Sequence, residues 1–409
     1  MPREPVPAYF PNLDVLRAIA VAAVFGFHFV SYNQIVLPEK PLSFLVLQGW
    51  LGANLFFVIS GFVIALSCFR SFEREPKDHL VGFLTKRAAR ILPLHYLTCT
   101  VYAIAYVPAL FTSVKGLLTL VGYAIFAYTF WFPISGLVNG QNWSISIEVQ
   151  FYIVLALATP LLRRVPVLPL LVACIVLSTG WDLFWLARIS SDDPQRIYRL
   201  FFVTSQLPGL IDTFALGLVL ARIALDPGKR PIWDWASRYW PVLFAGAFAC
   251  LAFAFVLYAR VPPLYDGWRI WFTASTLVGH HLSTSLGFFL LIFACAVSGT
   301  ARTDWWLAPL RYLGVVSYGF YLWHGIVLLA LKNFPELAVA PRLVLAAGLT
   351  IGLSALSWHL FEQPILRRFG SNAIHTGLDS NVKAIESPVP AAGPRPSKAR
   401  LPRADSSRM

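Results

Sequence analysis

The chain has 409 residues, 57% of them hydrophobic, 15% aromatic and only 13% charged, with a mean hydropathy of +0.64 and a formal net charge of +13. Water-soluble domains carry about 25% charged residues, so these figures exclude a soluble enzyme or binding module and define a polytopic membrane protein. The positive balance does not point to nucleic acid, because Lys and Arg lie in short segments between apolar runs and in the tail, where they orient a chain in a bilayer.

The first apolar run, LDVLRAIAVAAVFGFHFVS, covers residues 13–31 and carries Arg17 and His28. At about 100° and 1.5 Å per residue, the two return to within about 20° of one helix face, roughly 16 Å apart. Ionisable side chains facing lipid cost at least about 2.5 kcal/mol, so both are expected to turn inward, which makes them candidates for function. Taken singly, Arg17 also reads as a snorkelling anchor and His28 as a hydrogen-bonded core residue. The preceding PREPVPAYFPN offers no basic n-region and no small-residue cleavage site closes the run, so the first helix is expected to be uncleaved.

Runs long enough to span follow near 44–69, 91–111, 145–162, 167–187, 203–225, 240–259, 280–299, 312–331 and 342–362. An eleventh, 116–133, is ambiguous. The strongly basic segments 70–90, 163–164, 222–238, 302–311 and 367 onward fall on one side only if 116–133 does not cross, which makes that stretch re-entrant or packed against the bundle. The expected fold is therefore all-α, a polytopic transmembrane bundle of about ten spans with both termini cytoplasmic. Residues 1–12 form a short N-terminus and 13–369 the membrane domain. Residues 370–409, rich in Pro, Ala, Ser, Lys and Arg, are expected to form a disordered basic tail in contact with anionic lipid. No soluble catalytic domain is expected at either end, and no internal repeat of the transporter kind is visible. Five cysteines stand singly in apolar segments and read as buried thiols, neither disulfides nor a metal site.

Four stretches carry chemistry. GWLGANLFFVISGFVIAL (49–66) offers Gly49, Gly52, Ser60 and Gly61 for close helix approach and Asn54, an amide that needs a partner; Ser60 lacks the G-x-S-x-G context of a nucleophile. FLTKRAARILPLHYL (83–97) sets Lys86, Arg87 and Arg90 before a span. Arg87 and Arg90 point the same way on a helix, an arrangement that suits a phosphorylated ligand such as coenzyme A and equally an ordinary positive-inside anchor. In QNWSISIEVQFYIVLAL (141–157), Ser144, Glu148 and Tyr152 recur at four-residue spacing and form one polar stripe behind Trp143. A carboxylate there needs a partner, and His28 or Arg17 is the type available. SYGFYLWHGIVLL (317–329) places Tyr318, Tyr321, Trp323 and His324 at the head of a span, with His324 the weakest candidate for chemistry. Asp212 is another intramembrane acid with no evident chemical role, and His280 and His281, at a span's edge, are expected to be interfacial.

Taken together and in this order, these stretches resemble the acyltransferase 3 family of integral membrane O-acyltransferases, over about Asn12 to Phe369. Arg17 and His28 reproduce the family's Arg, ten residues, His signature. GANLFFVISGF, RAARILP, NWSISIEVQFY, SYGFYLWH and FEQP resemble its further motifs. Asn54 stands where the family usually has Asp, and Val149 replaces the second Glu of a Glu-Glu pair. The resemblance implies transfer of an acyl group, usually acetyl, from cytoplasmic acyl-CoA to a hydroxyl of a surface polysaccharide, lipid-linked glycan or small molecule. His28 and Glu148 would be catalytic, His28 as general base held by Glu148 or as acyl carrier. Arg17, Lys86, Arg87 and Arg90 would bind acyl-CoA. Asn54, Ser60, Trp143, Ser144, Tyr152, Tyr321 and His324 would support the polar site. The expected setting is the cytoplasmic (inner) membrane of a bacterium, with acyl-CoA as co-substrate, no bound cofactor or metal, no nucleic acid, and a separate periplasmic or polysaccharide-assembly protein as partner. A polytopic transporter using the same intramembrane charges is the alternative.

Overall fold

The computed structural model describes residues 7, 9–38, 41–190, 192–259, 274–298, 305–334 and 336–369. The predicted tail, 370–409, and residues 1–6 of the short N-terminus lie outside the described residues. Ten long helices carry the fold: α1 (Pro11–Tyr32), α2 (Gly52–Arg74), α3 (His79–Tyr106), α4 (Trp143–Leu162), α5 (Val167–Arg188), α6 (Leu207–Leu225), α7 (Trp240–Ala259), α8 (Ala274–Val297), α9 (Ser317–Lys332) and α10 (Val339–Ser357). No strand occurs among the described residues. Every run read as a span is helical over most of its described residues. Among the described residues eight helices are long and apolar enough to cross a membrane, nine when Trp305–Val315 and Ser317–Lys332, bent by 66°, count as one. The protein is a multi-pass integral membrane protein.

Several boundaries differ from the apolar runs, each for a local reason. α3 starts at His79 and not near 91, because the charged turn with Lys86, Arg87 and Arg90 is itself helical and continues through Pro93. The run at 203–225 breaks at Ser205 and Gln206, and Pro208 opens α6 in its first turn, where its missing N–H costs nothing. The ambiguous 116–133 stretch does not cross: Val114–Ala124 has 11 residues, about 16 Å of helix against a hydrocarbon core of about 30 Å. Two short 3₁₀ turns follow it, Ala127–Phe130 and Phe132–Ile134. The segment is tied to the bundle by Tyr96, which donates to the Ala124 carbonyl at 2.9 Å, and by Ser146 of α4, which donates to the Phe126 carbonyl at 2.8 Å.

Burial orders the helices. α2 and α6 bury 78% of their apolar windows and form the centre, whereas α5 buries 11% and turns leucines and valines outward, as a helix in contact with lipid can. The centre is tight because glycine lets backbones touch: a Cβ at Gly217 of α6 would fall on the Val58 carbonyl of α2, and one at Gly61 of α2 on the Phe214 carbonyl of α6. Gly49 and Gly52 meet the Ala23 and Ala20 carbonyls of α1 in the same way, as the small-residue pattern implied. The five cysteines are unpaired, but only Cys68 is fully buried; the other four are half-buried against neighbouring helices or lipid-facing surface.

Candidate active site

α1, α2, α3, α4 and α9 enclose a cavity of about 330 Å³. Both Ala53 and Arg74 of α2 line it, and a helix rises about 31 Å between those positions, so the cavity reaches through most of the bundle. Its outer end is cationic: Arg17 from α1, Arg70 and Arg74 from the end of α2, and Arg87 and Arg90 from the start of α3. Its inner wall carries Ser60, Ser144, Glu148, Tyr152 and Tyr321.

The four-residue stripe on α4 is realised. Glu148 Oε1 accepts hydrogen bonds from Ser60 Oγ at 2.5 Å and from Tyr152 OH at 2.6 Å. Among the described residues no hydrogen bond reaches Oε2, which leaves that oxygen to the cavity Glu148 lines. One turn away, Ser144 Oγ and Tyr321 OH lie 2.8 Å apart, and Tyr321 also donates to the Gln141 carbonyl at 3.0 Å. The expected partners of Glu148 are wrong: neither His28 nor Arg17 hydrogen-bonds it, because His28 pairs with His324 and Arg17 with Asp14.

His28 belongs instead with His324. His324 is fully buried; its Nδ1 lies 2.6 Å from the Tyr321 carbonyl and its Nε2 lies 3.0 Å from His28 Nδ1. The Tyr321 carbonyl can only accept, so Nδ1 of His324 carries the proton. With both rings neutral, Nε2 of His324 accepts, His28 Nδ1 donates, and His28 Nε2 keeps its lone pair. His324, placed last among the candidates, thus fixes the tautomer of the first. The pair sits one helical turn beyond Tyr321, and Tyr32, whose ring centroid is 5.8 Å from that of His28, accepts from Gln141 Nε2 at 2.9 Å.

The arginines are anchored by acids that sequence spacing did not single out. Arg17 pairs at 3.2 Å with Asp14, which is 3% exposed and also accepts from Tyr9. Arg90 pairs at 2.9 Å with Glu362, from the π-helical turn Trp358–Glu362, and its guanidinium lies 5.0 Å from the Trp358 ring centre. Asp14 follows from its place one turn before Arg17, a signal available in the sequence; Glu362 stands in the FEQP motif, but at 272 residues from Arg90 its pairing gave no signal. Arg87 is half-buried in the cavity wall, but Lys86 is exposed and does not line it, because the next residue on a helix points about 100° away.

Asn54 and Trp143 also depart from the expected grouping. They line a separate small cavity with Asp182, His280, His281 and Thr284. His280 and His281 are not interfacial: His280 is 2% exposed, and His281 Nε2 lies 2.8 Å from Asp212 of α6, which explains the intramembrane acid as one half of an ion pair.

Fold and site together define a multi-pass membrane protein whose arginine-rich cavity leads to a cradled carboxylate, with a histidine pair one turn beyond its Tyr321 wall. A family model described as an acyltransferase domain matches residues 10–359, and the chain belongs to this acyltransferase 3 family. It is 27% identical over 390 residues to YrhL of Bacillus subtilis (strain 168), covering 87% of this chain and 55% of that protein. It is 26% identical to the O-acetyltransferase OatA of Staphylococcus aureus (strain NCTC 8325 / PS 47), covering 88% of this chain and 58% of the relative. Against the peptidoglycan O-acetyltransferase OatA of Listeria monocytogenes serovar 1/2a (strain ATCC BAA-679 / EGD-e) the identity is 25%, over 91% of this chain and 58% of the relative. The chain thus spans a little over half the length of these relatives. No solved structure matches it.

Proposed function

We propose that the protein is an O-acyltransferase of a bacterial cytoplasmic membrane that moves an acetyl group from acetyl-CoA to a sugar hydroxyl. The observation that carries this reading is the continuity of one cavity from five arginines to Glu148 and Tyr321, with the His28–His324 pair one helical turn beyond Tyr321 and outside the cavity lining. Guanidinium groups match phosphate geometry and stay charged, so Arg17, Arg70, Arg74, Arg87 and Arg90 suit the phosphates of coenzyme A at the outer end. The thioester then lies toward the inner wall. His28 Nε2 takes the proton of the acceptor hydroxyl as its oxygen attacks the acyl carbon, the C–S bond breaks, and the proton passes to the departing thiolate. General-base catalysis of this kind contributes about 10²–10⁴ in rate. The names of the relatives support acetyl as the acyl group and a peptidoglycan-type glycan as the acceptor.

The test is release of free coenzyme A from acetyl-CoA by purified protein in liposomes with a glycan acceptor. Wild type should turn over, and His28→Ala and Glu148→Gln, folded to the same degree, should not. Absence of both binding and turnover with acetyl-CoA and longer acyl-CoAs would move the assignment to a transporter of the glycan.

A further inference from the structure

The bundle carries a second chamber that the mechanism above does not use. One compartment, about 180 Å³, is lined by Phe132, Trp143, Tyr198, Phe201, Phe202 and Gln206. A smaller one, about 40 Å³, is lined by Asn54, Asp182, His281 and Thr284 among others. Trp143, Phe201 and Ser205 belong to both linings. The chamber meets the arginine cavity across single peptide units: on α2, Ala53 lines the cavity and Asn54 the chamber, and on α4, Ser144 and Trp143 divide in the same way.

The small compartment holds polar groups that call for a hydrogen-bonding ligand. Asp182 is 3% exposed and Thr284 is fully buried, and neither Asp182 Oδ1 nor Thr284 Oγ1 has a hydrogen-bond partner among the described residues. A buried polar atom left unpaired costs about 1–3 kcal/mol. A volume of 40 Å³ exceeds the roughly 10–15 Å³ one water needs, so it admits hydroxyl groups but no ring. The aromatic compartment beside it has room for a ring. Apolar faces with a few convergent polar groups are the usual make-up of a small-ligand site, and a pyranose presents a C–H face to aromatic rings and a hydroxyl edge to a carboxylate.

We infer that this chamber is the acceptor site: a sugar ring of the glycan stacks in the aromatic compartment and donates hydroxyl hydrogen bonds to Asp182 Oδ1 and Thr284 Oγ1. The chamber holds the glycan, and the reacting hydroxyl belongs to a neighbouring sugar unit on the arginine-cavity side of the Trp143–Ser144 partition, where the acyl donor lies. This inference rests on the acyl-transfer reading for its purpose, though not for its ligand.

The experiment uses the full chain in lipid nanodiscs and the tetramer of N-acetylglucosamine as probe, with saturation-transfer NMR and calorimetry for the tetramer and calorimetry for acetyl-CoA. Wild type should bind both. Asp182→Asn and, at a position 59% exposed where folding tolerates change, Tyr198→Ala should each weaken the tetramer by about tenfold, the worth of one good hydrogen bond or ring contact, and leave acetyl-CoA affinity as it was. Tetramer affinity that is absent, or equal in all three proteins, overturns the chamber, as does a parallel loss of both ligands. Tetramer binding that follows the variants without any acetyl-CoA binding upholds the sugar site and overturns the acyl-transfer reading instead.

Discussion

His324 Nε2 stands 3.0 Å from His28 Nδ1 although 296 residues separate the two in sequence. Because Nδ1 of His324 is committed to the Tyr321 carbonyl at 2.6 Å, the contact orients a single lone pair, that of His28 Nε2. His324→Ala should therefore lower kcat by about 10² while leaving KM for acetyl-CoA within a factor of about two, since the base survives but its tautomer is no longer held. His28→Ala should abolish turnover, and the double variant should be no worse than His28→Ala alone, because residues that act as a unit are not additive. Steady-state kinetics on the three variants read this; additive losses would separate the two rings.

Glu148 offers a second test, because two hydroxyls from different helices converge on the same oxygen at 2.5 and 2.6 Å. A hydrogen bond to a charged group is worth about 1.5–3 kcal/mol, so Ser60→Ala and Tyr152→Phe should each cost roughly 10- to 100-fold in kcat/KM without abolishing it. Residual turnover in Ser60→Ala would also show that Ser60 is no acyl carrier. Complete loss in that variant, in protein that still binds acetyl-CoA, would reverse this assignment.

What the sequence disclosed and what it concealed follow from range. Arg17, His28, Ser144, Glu148 and Tyr152 are legible because helical spacing fixes relations within one element, and a polar residue in an apolar run is conspicuous. Partnerships are not local. His28 with His324, Arg90 with Glu362 and Asp212 with His281 join helices far apart in the chain, and no period within a helix selects among acids and bases on the others. The break at Ser205 and the π-helical turn at Trp358–Glu362 were hidden for a related reason, since each falls within a run that reads as a single span. The same turn is what carries Glu362 to Arg90.

That Arg90–Glu362 pair predicts an asymmetry. The Glu362 side chain is 3% exposed and Arg90 24%, so the acid depends on the pair more than the base does. Arg90→Ala leaves a buried carboxylate without its counter-charge and should cost about 3–5 kcal/mol of stability together with donor affinity. Glu362→Gln removes the charge that needs a partner and should cost less, and adding it to Arg90→Ala should recover part of the lost stability but none of the acetyl-CoA affinity. Thermal unfolding in detergent and donor titration of the three variants separate the two effects.

The centre of the bundle gives a prediction about packing alone. A Cβ at Gly217 would fall on the Val58 carbonyl and beside the Phe62 amide of α2, all backbone, so nothing flexible can give way. Gly217→Ala should therefore push α2 and α6 apart and destabilise the protein by about 1–3 kcal/mol, the usual cost of overfilling a packed interior. Gly348 and Gly352 of α10 are the controls. Nothing stands within 4 Å of a Cβ at either position, and replacing glycine by alanine inside a helix is favourable by roughly 0.5–1 kcal/mol. Gly348→Ala and Gly352→Ala should raise the apparent Tm slightly while Gly217→Ala lowers it. Because α2 also carries Ser60 to Glu148, Gly217→Ala should lose turnover in step with its stability, well below the temperature at which the controls fail. Equal behaviour of all three alanine variants would mean that the α2–α6 contact is looser than its geometry implies.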